Sequence, residues 1–448
     1  MLRYPMLSVR PVTRYLQRSP VRTFQSSCFR PTDGVYKALT EMRVRKPWIE
    51  AFRESKEHKG TENSAQEYPK PDTAPKTMSD SYVRLVLPLA QDPWMLDSYA
   101  NANGRLRIGA LLMDLDAMAG VVAYKHTGEG VSTVTAAVDR ISIQNPLHEI
   151  CDLELSGQVT FATGRSSMEI SLQVAKVPAE GKHISPEDVF MTCAFTMVSL
   201  DPVTKKPINI APLKLETQAD RALFAQGEAN YRSKKAQKSS HILSKPPDAE
   251  ESAEIHKMWT DSLAYADRRN PVEQPSNTIS MASSTIFSTS ISQPQYRNRH
   301  SFMIFGGYLL KQTYELAFTC ASAFSHTRVQ FVNLDPSTFE ESVPVGSVLY
   351  VSAQVTYTAK DERNGGTKMQ VMVNAHVRNV EHAERKNTGT FFYTFHTDAD
   401  VSVLPQTYSE FMKWVAGQRR AKRMDESLSP DGHGQHVLGG PPQSNATE

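Results

Sequence analysis

The spacing of apolar positions changes several times along the chain, and each change delimits an element. Leu111, Leu115, Met118 and Val122 recur at intervals of four, three and four, one apolar stripe that predicts an amphipathic helix over Arg107–His126. The period then shortens. Val131–Arg140, Cys151–Thr163, Ser167–Val177 and Phe190–Leu200 are rich in β-branched and aromatic residues and read as strands, with a tight turn at Gly164-Arg165. Ser81–Leu89 alternates as a strand ahead of the helix. The same order returns downstream. Ser283–Ser292 is extended, Gly307–Ala323 is helical, and Arg328–Leu334, Val348–Ala359, Lys368–Arg378 and Thr388–His396 read as strands, with a charged turn over Lys360–Gly366. Lys46–His58 carries a short helical pattern. Lys214–Ser240, dense in Ala, Gln, Lys and Glu, reads as a helix running into the linker signal Lys245-Pro246-Pro247-Asp248.

The recurrence extends to individual residues. Asp139-Arg140-Ile141 is followed by Leu155-Ser156-Gly157-Gln158-Val159-Thr160, and Asp335-Pro336-Ser337 by Val351-Ser352-Ala353-Gln354-Val355-Thr356. In both, the serine of S-x-Q-V-T lies 17 positions after the aspartate, and the two copies are 196 residues apart. Gly109 precedes Asp139 by nearly the same interval as Gly307 precedes Asp335, each glycine opening a helical stretch. A period this long excludes a solenoid of short units and implies a domain duplicated in tandem. One long helix followed by consecutive antiparallel strands is satisfied by a sheet wrapping the helix, an α+β arrangement present twice. Asp139 and Asp335 read as strand-end turn residues.

Composition fits this plan. A chain of 448 residues with 40% hydrophobic and 22% charged residues can build two cores. A net charge of +2 asks for no nucleic acid, and no apolar run reaches the roughly 18 residues of a membrane span. Cys28, Cys151, Cys193 and Cys320 are scattered without a C-x-x-C pair, so free thiols and no metal site are expected. Met1–Thr32 is different in kind, with six arginines and no Asp, Glu or Lys. That is the composition of a mitochondrial presequence, and Arg22-Thr23-Phe24 resembles a matrix-protease site. The expected organisation is therefore a presequence at 1–32, a polar arm at 33–78, a first domain at 79–215, a helical linker at 216–275, a second domain at 276–420 and a disordered tail at 421–448.

The segment Arg107-Ile108-Gly109-Ala110-Leu111-Leu112-Met113-Asp114-Leu115-Asp116-Ala117-Met118-Ala119-Gly120 resembles the helix of mitochondrial acyl-CoA thioesterases of the type 9 family, which are double hotdog proteins. Gly164-Arg165-Ser166-Ser167-Met168-Glu169, Phe305-Gly306-Gly307-Tyr308-Leu309 and Val343-Pro344-Val345-Gly346-Ser347 resemble the same family, and the likeness runs from about Ser81 to about Gln418. It implies two tandem hotdog domains forming an internal pseudo-dimer, hydrolysis of fatty acyl-CoA to free fatty acid and CoA in the mitochondrial matrix, and a homo-oligomer such as a trimer of chains. Coenzyme A is then part of the substrate, and no separate cofactor is expected.

Thioester hydrolysis needs an attacking water or carboxylate and donors for the developing oxyanion. A helix N-terminus supplies such donors, and glycine there allows close approach, which nominates Gly109, Gly306 and Gly307. Asp116, seven residues after Gly109, stands where related hotdog thioesterases carry the catalytic acid. Asp114 is its rival, but residues two apart on a helix point about 200° apart, so both cannot serve one site. The matching position in the second copy is Tyr314, which implies one carboxylate site per pair of copies; Glu315 beside it reads as a surface pair with Lys311. The family usually places an asparagine a few residues before the second Gly-Gly. Here Phe302 stands near that position, leaving His300, Ser301, Asn298 or Asn103 to take over. Arg165, Ser166 and Ser167 suit a phosphate of CoA, or form a plain hairpin turn. A hydratase would want Asp-x4-His after one of the glycines, which is absent. A catalytically silent scaffold or CoA-binding sensor is the alternative from another class, favoured by the missing asparagine. Acyl-chain length and nucleotide regulation are encoded in none of these motifs.

Overall fold

The computed structural model describes residues 39, 47–57, 71–128, 130–178, 183–237, 242, 245–267, 269, 272–298, 302–381, 384–427 and 438. The leader at 1–32, Cys28, His300 and Ser301 lie outside them. The helices are α1 (Trp48–Glu57), α2 (Pro93–Tyr99), α3 (Ile108–Thr127), α4 (Gln218–Gln237), α5 (Ala249–Ala266), α6 (Gly306–Ser325) and α7 (Tyr408–Ser427). The first-half strands are β1 (Val83–Leu87), β2 (Ser132–Val138), β3 (Ile141–Ile143), β4 (Leu153–Ala162), β5 (Ser167–Lys176) and β6 (Val189–Leu200). Those of the second half are β7 (Thr278–Ser280), β8 (Ile286–Ile291), β9 (Gln330–Leu334), β10 (Ser337–Thr338), β11 (Val348–Lys360), β12 (Thr367–Arg378), β13 (Arg385–Thr397) and β14 (Ser402–Leu404).

One antiparallel sheet carries both halves, in the order β1-β4-β5-β6-β3-β9-β13-β12-β11-β8. The second half repeats the first in reverse from β6 and β13 outward; at the seam β3 pairs with β9, the counterpart of β2, and β2 pairs with β10, the counterpart of β3. There Ile141 pairs with Leu334 and Ser142 with Asn333, while Val138 of β2 pairs with Ser337 of β10. Helices α3 and α6 pack against each other inside this wrap. Leu111, Leu112, Leu115 and Met118 are completely buried, each stabilising the fold by about 2 kcal/mol. The single stripe expected on α3 is too modest a description. The helix is buried on almost every face, Asp114 and Asp116 included, because α6 covers the side that the sheet leaves open.

The repeated S-x-Q-V-T has a structural cause. In both halves a serine closes a 3-10 turn, Ser81 bonding Met78 O and Ser284 bonding Met281 O. The same hydroxyls accept from Val159 N at 2.9 Å and Val355 N at 3.1 Å. Each strand bulges directly afterwards, leaving Thr160 and Thr356 out of register.

The duplicated unit is longer than the sequence pattern suggests. Helix α4, assigned to the linker, and α7, which the sequence reading leaves out, are counterparts in the two halves. Thr217 and Asp220 cap α4 as Thr407 and Glu410 cap α7, each acid accepting from the threonine amide while its own amide donates to the threonine hydroxyl. Phe224 meets Phe161 at 4.8 Å and Trp414 meets Tyr357 at 5.4 Å. Gly227 and Gly417 lie so close to those same sheet aromatics that an added Cβ would sit 2.5 Å away. The tail at 421–448 is corrected as well: α7 continues through Ser427, and Leu438 is buried, exchanging backbone bonds with the Gln173 side chain.

Asp335 is more than a turn residue. Its carboxylate is buried, accepts from Asn333 Nδ2 at 3.0 Å, and stands 4.0 Å from Arg140 and 3.9 Å from Arg420. Arg420 in turn donates to Gln370 and lies over the Phe392 ring. Cys151, Cys193 and Cys320 are free thiols. No helix among the described residues is long and apolar enough to cross a membrane.

Candidate active site

The α3–α6 crossing brings the middle of one helix onto the N-terminus of the other. Asp116 Oδ2 accepts from Gly307 N at 2.6 Å, and Asp116 Oδ1 accepts from Thr135 Oγ1 of β2 at 2.8 Å. The carboxylate is 3% exposed, so it is neither a solvated nor a surface capping group. It faces the positive end of the α6 dipole. The sequence permits this approach only through glycine. A Cβ on Gly307 would fall 2.8 Å from both Asp116 Cβ and Met113 O, and one on Gly306 would fall 3.2 Å from Thr135 Cβ.

The chain ahead of α6 forms a narrow finger. Arg297 bridges Ile304, Asn298 N donates to Met303 O, and Phe305 N donates to Tyr296 O. From it the Asn298 side chain reaches the first half, donating from Nδ2 to Thr133 O at 3.2 Å, two residues before Thr135. Phe302, near the family's asparagine position, turns instead toward Trp48. Asn103 sits in the turn ahead of α3, its amide held by Asn101 Oδ1.

Gly109 does not join Asp116. It occupies the other end of the helix pair, where an added Cβ would be 2.8 Å from Glu315 Oε1 and 3.0 Å from Tyr314. Glu315 pairs across the two copies with Arg107 Nε at 2.7 Å, a partner its place beside Lys311 in the sequence does not suggest. Tyr314 is packed against Phe331, Tyr393 and Phe395, and Phe331 is 196 residues after Thr135. Where one end holds an acid and a hydroxyl, the other is filled with rings.

Asp114 is buried as well, and accepts from Tyr99 Oη. Burial pushes its carboxyl up to about 7, with the Tyr99 bond and the Lys311 charge acting in the opposite direction. Cys193, buried on β6, is pushed far above the ordinary thiol range by burial and then by the Asp116 and Asp139 charges. It stays protonated and is no nucleophile. Arg165, Ser166 and Ser167 form the β4–β5 turn, with Arg165 O and Ser166 O accepting from Ile210 N and Ser199 N. Ser167 is paired with Val198, itself opposite Val134, so the turn lies two strands, about 10 Å, from β2. Thr135 had no signal in the sequence: only the fold aims one threonine of β2 at Asp116.

No protein-family model matches the chain. Among curated proteins it is 34% identical over 365 residues to acyl-coenzyme A thioesterase 9, mitochondrial, of Bos taurus, covering 79% of this chain and 80% of that one. The chain belongs to the acyl-coenzyme A thioesterase 9 family. The Homo sapiens member is 33% identical over 360 residues, covering 78% and 79%. An acyl-CoA hydrolase from Bacillus cereus superposes with a TM-score of 0.31 at 23% identity, covering 34% of this chain and 94% of its own. As a member of the thioesterase 9 family, the chain is a thioester hydrolase acting on acyl-CoA.

Proposed function

We propose that this thioesterase works as an internal pseudo-dimer of two hotdog domains with one active site, at the Asp116 end of the helix pair. The observation that carries the reading is the 2.6 Å bond from Gly307 N to Asp116 Oδ2, which joins the carboxylate of one half to the helix N-terminus of the other. In the reaction, RCO–S–CoA and water give RCOOH and CoA–SH. The Asp116 carboxylate either takes a proton from the attacking water or attacks the carbonyl carbon itself. Charge developing on the carbonyl oxygen is met by the first-turn amides of α6 other than Gly307 N, which Asp116 holds, and by the Asn298 amide group, donors already oriented before substrate arrives. Thr135 holds the carboxylate in line. Gly109 has no part in this chemistry, because its end of the pair has Tyr314 where the acid would be.

Arg165, Ser166 and Ser167 are assigned to a phosphate of CoA. Arg165→Ala is expected to raise KM severalfold while kcat changes little, the signature of lost ground-state binding. The enzyme is assigned to the mitochondrial matrix, from the arginine-rich leader and the mitochondrial relatives, and to a homo-oligomer of chains. Thiol release from short-, medium- and long-chain acyl-CoAs tests the mechanism, with Asp116→Asn run alongside. The variant keeps side-chain shape but loses the base, and turnover is expected to fall by about a thousandfold or more. Full turnover in Asp116→Asn would remove the assignment.

A further inference from the structure

The finger that carries Asn298 has a prop outside the duplicated units. Helix α1 belongs to the polar arm, and its Trp48 is half-buried against both strands of the finger. The ring meets Phe302 edge-on at 5.1 Å, and the Arg297 guanidinium lies over it at 5.8 Å. Phe52, one turn along α1, stacks behind it at 5.6 Å. Arg297 also donates to Pro294 O, so the residue under the indole is tied to the base of the finger. Trp48 therefore grips Arg297, immediately before Asn298, and Phe302, immediately before the Met303 carbonyl that holds the Asn298 amide.

The first half has a matching turn, and its asparagine behaves differently. Ala100 bridges Leu106 and Asn101 N donates to Arg105 O, as in the finger. The Asn101 carboxamide, however, turns back onto Asn103 N and Arg105 N. Asn298 instead extends across to Thr133. Phe302 remains 41% exposed even with Trp48 against it, and neither Trp48 nor Phe52 belongs to the apolar core. The aromatic contact thus contributes little to global stability and acts locally on the finger.

We infer that Trp48 is a positioning residue for the thioesterase reaction: the arm helix holds the Asn298 finger in the geometry that presents its amide to the thioester carbonyl. The inference rests on the role given above to Asn298. A displacement of about 1 Å in such a donor is enough to lower turnover by one to two orders of magnitude.

The test is a double-mutant cycle in the chain retaining the arm, read by steady-state thiol release. Trp48→Ala is expected to lower kcat about tenfold with KM within about twofold of the parent and an unchanged melting temperature, while Trp48→Phe keeps about half or more of the turnover. In an Asn298→Ala background, Trp48→Ala should cost nothing further, since the group it positions is gone. An equal loss in both backgrounds, or parental turnover in Trp48→Ala, overturns the positioning role alone. Parental turnover in Asn298→Ala overturns the assigned role of Asn298 and this inference with it.

Discussion

Asp114 and Asp116 are separated by one leucine and sit in opposite circumstances. Asp116 has two short donors, one from each half of the molecule, whereas Asp114 has burial, one tyrosine hydroxyl and a distant lysine charge. The consequence for stability follows from linkage. In the unfolded chain Asp114 titrates near 3.8; folded, it titrates near 7. Between those values the folded state holds a proton that the unfolded state has released, so the contribution of Asp114 to stability is full below pH 3.8 and is lost as pH rises through 7. Asp114→Asn removes this penalty. Its melting temperature is expected to exceed the parent's by several degrees at pH 8, with the gap closing toward pH 4. A constant gap across that range would assign the effect to packing instead. The helical angle between the two acids was legible in the sequence, but not their burial, because α6 comes from the other half of the chain to cover them.

At the scale of elements, the two helix-opening glycines look equivalent along the chain and differ in what they touch. Gly307 meets the Met113 carbonyl and the Asp116 stem at 2.8 Å, neither of which can retreat, while Gly109 meets the flexible end of Glu315 at 2.8 Å and the Tyr314 ring less closely, at 3.0 Å. Gly307→Ala is expected to lower kcat by at least about a hundredfold and to destabilise the fold by about 1–3 kcal/mol. Gly109→Ala should retain most activity, with Glu315 shifting aside; thiol release and thermal melts on both variants check the contrast. Helices α3 and α6 and the strands flanking them were legible from apolar period. The relation between α4 and α7 was not, since the step from Thr217 to Thr407 is shorter than the step between matching strands, and beyond one aromatic and one glycine their sheet contacts differ: Tyr231 and Asn230 from α4, Lys413 and Arg420 from α7. The Thr407-x-x-Glu410 capping box and the Phe411–Val415 spacing are the signs of α7 in the sequence. Phe302 misled for a related reason: counting back from Gly-Gly places a residue along the finger but not on the side that faces β2.

The whole molecule is held as one body by its seam. Asp335, at the end of β9, lies between Arg140 of the first half and Arg420 of the last helix, so one carboxylate ties the two units and the C-terminal segment together. Burial raises its carboxyl, and the Arg420, Arg140 and Arg423 charges offset part of that rise. Asp335→Ala leaves buried Arg420 facing Arg140 without a counter-charge, and a loss of about 3–5 kcal/mol is expected in denaturant melts. A loss no larger than that of an exposed aspartate would show the arginines to be solvated. Nothing in the spacing of Asp139 and Asp335 distinguished them, since the arginine that makes one of them structural arrives only in α7, far along the chain.

The two ends of the α3–α6 pair are written separately in one gene. In an assembly of identical subunits, any substitution that tightens one crossing tightens the other, and packing at a spare site is limited by the chemistry of the working one. Here Tyr314, Phe331, Tyr393 and Phe395 close one crossing with aromatic rings, and the change leaves Asp116 untouched. One end of the helix pair is filled with packed rings, so under the proposed mechanism the acyl chain has only the Asp116 end to occupy.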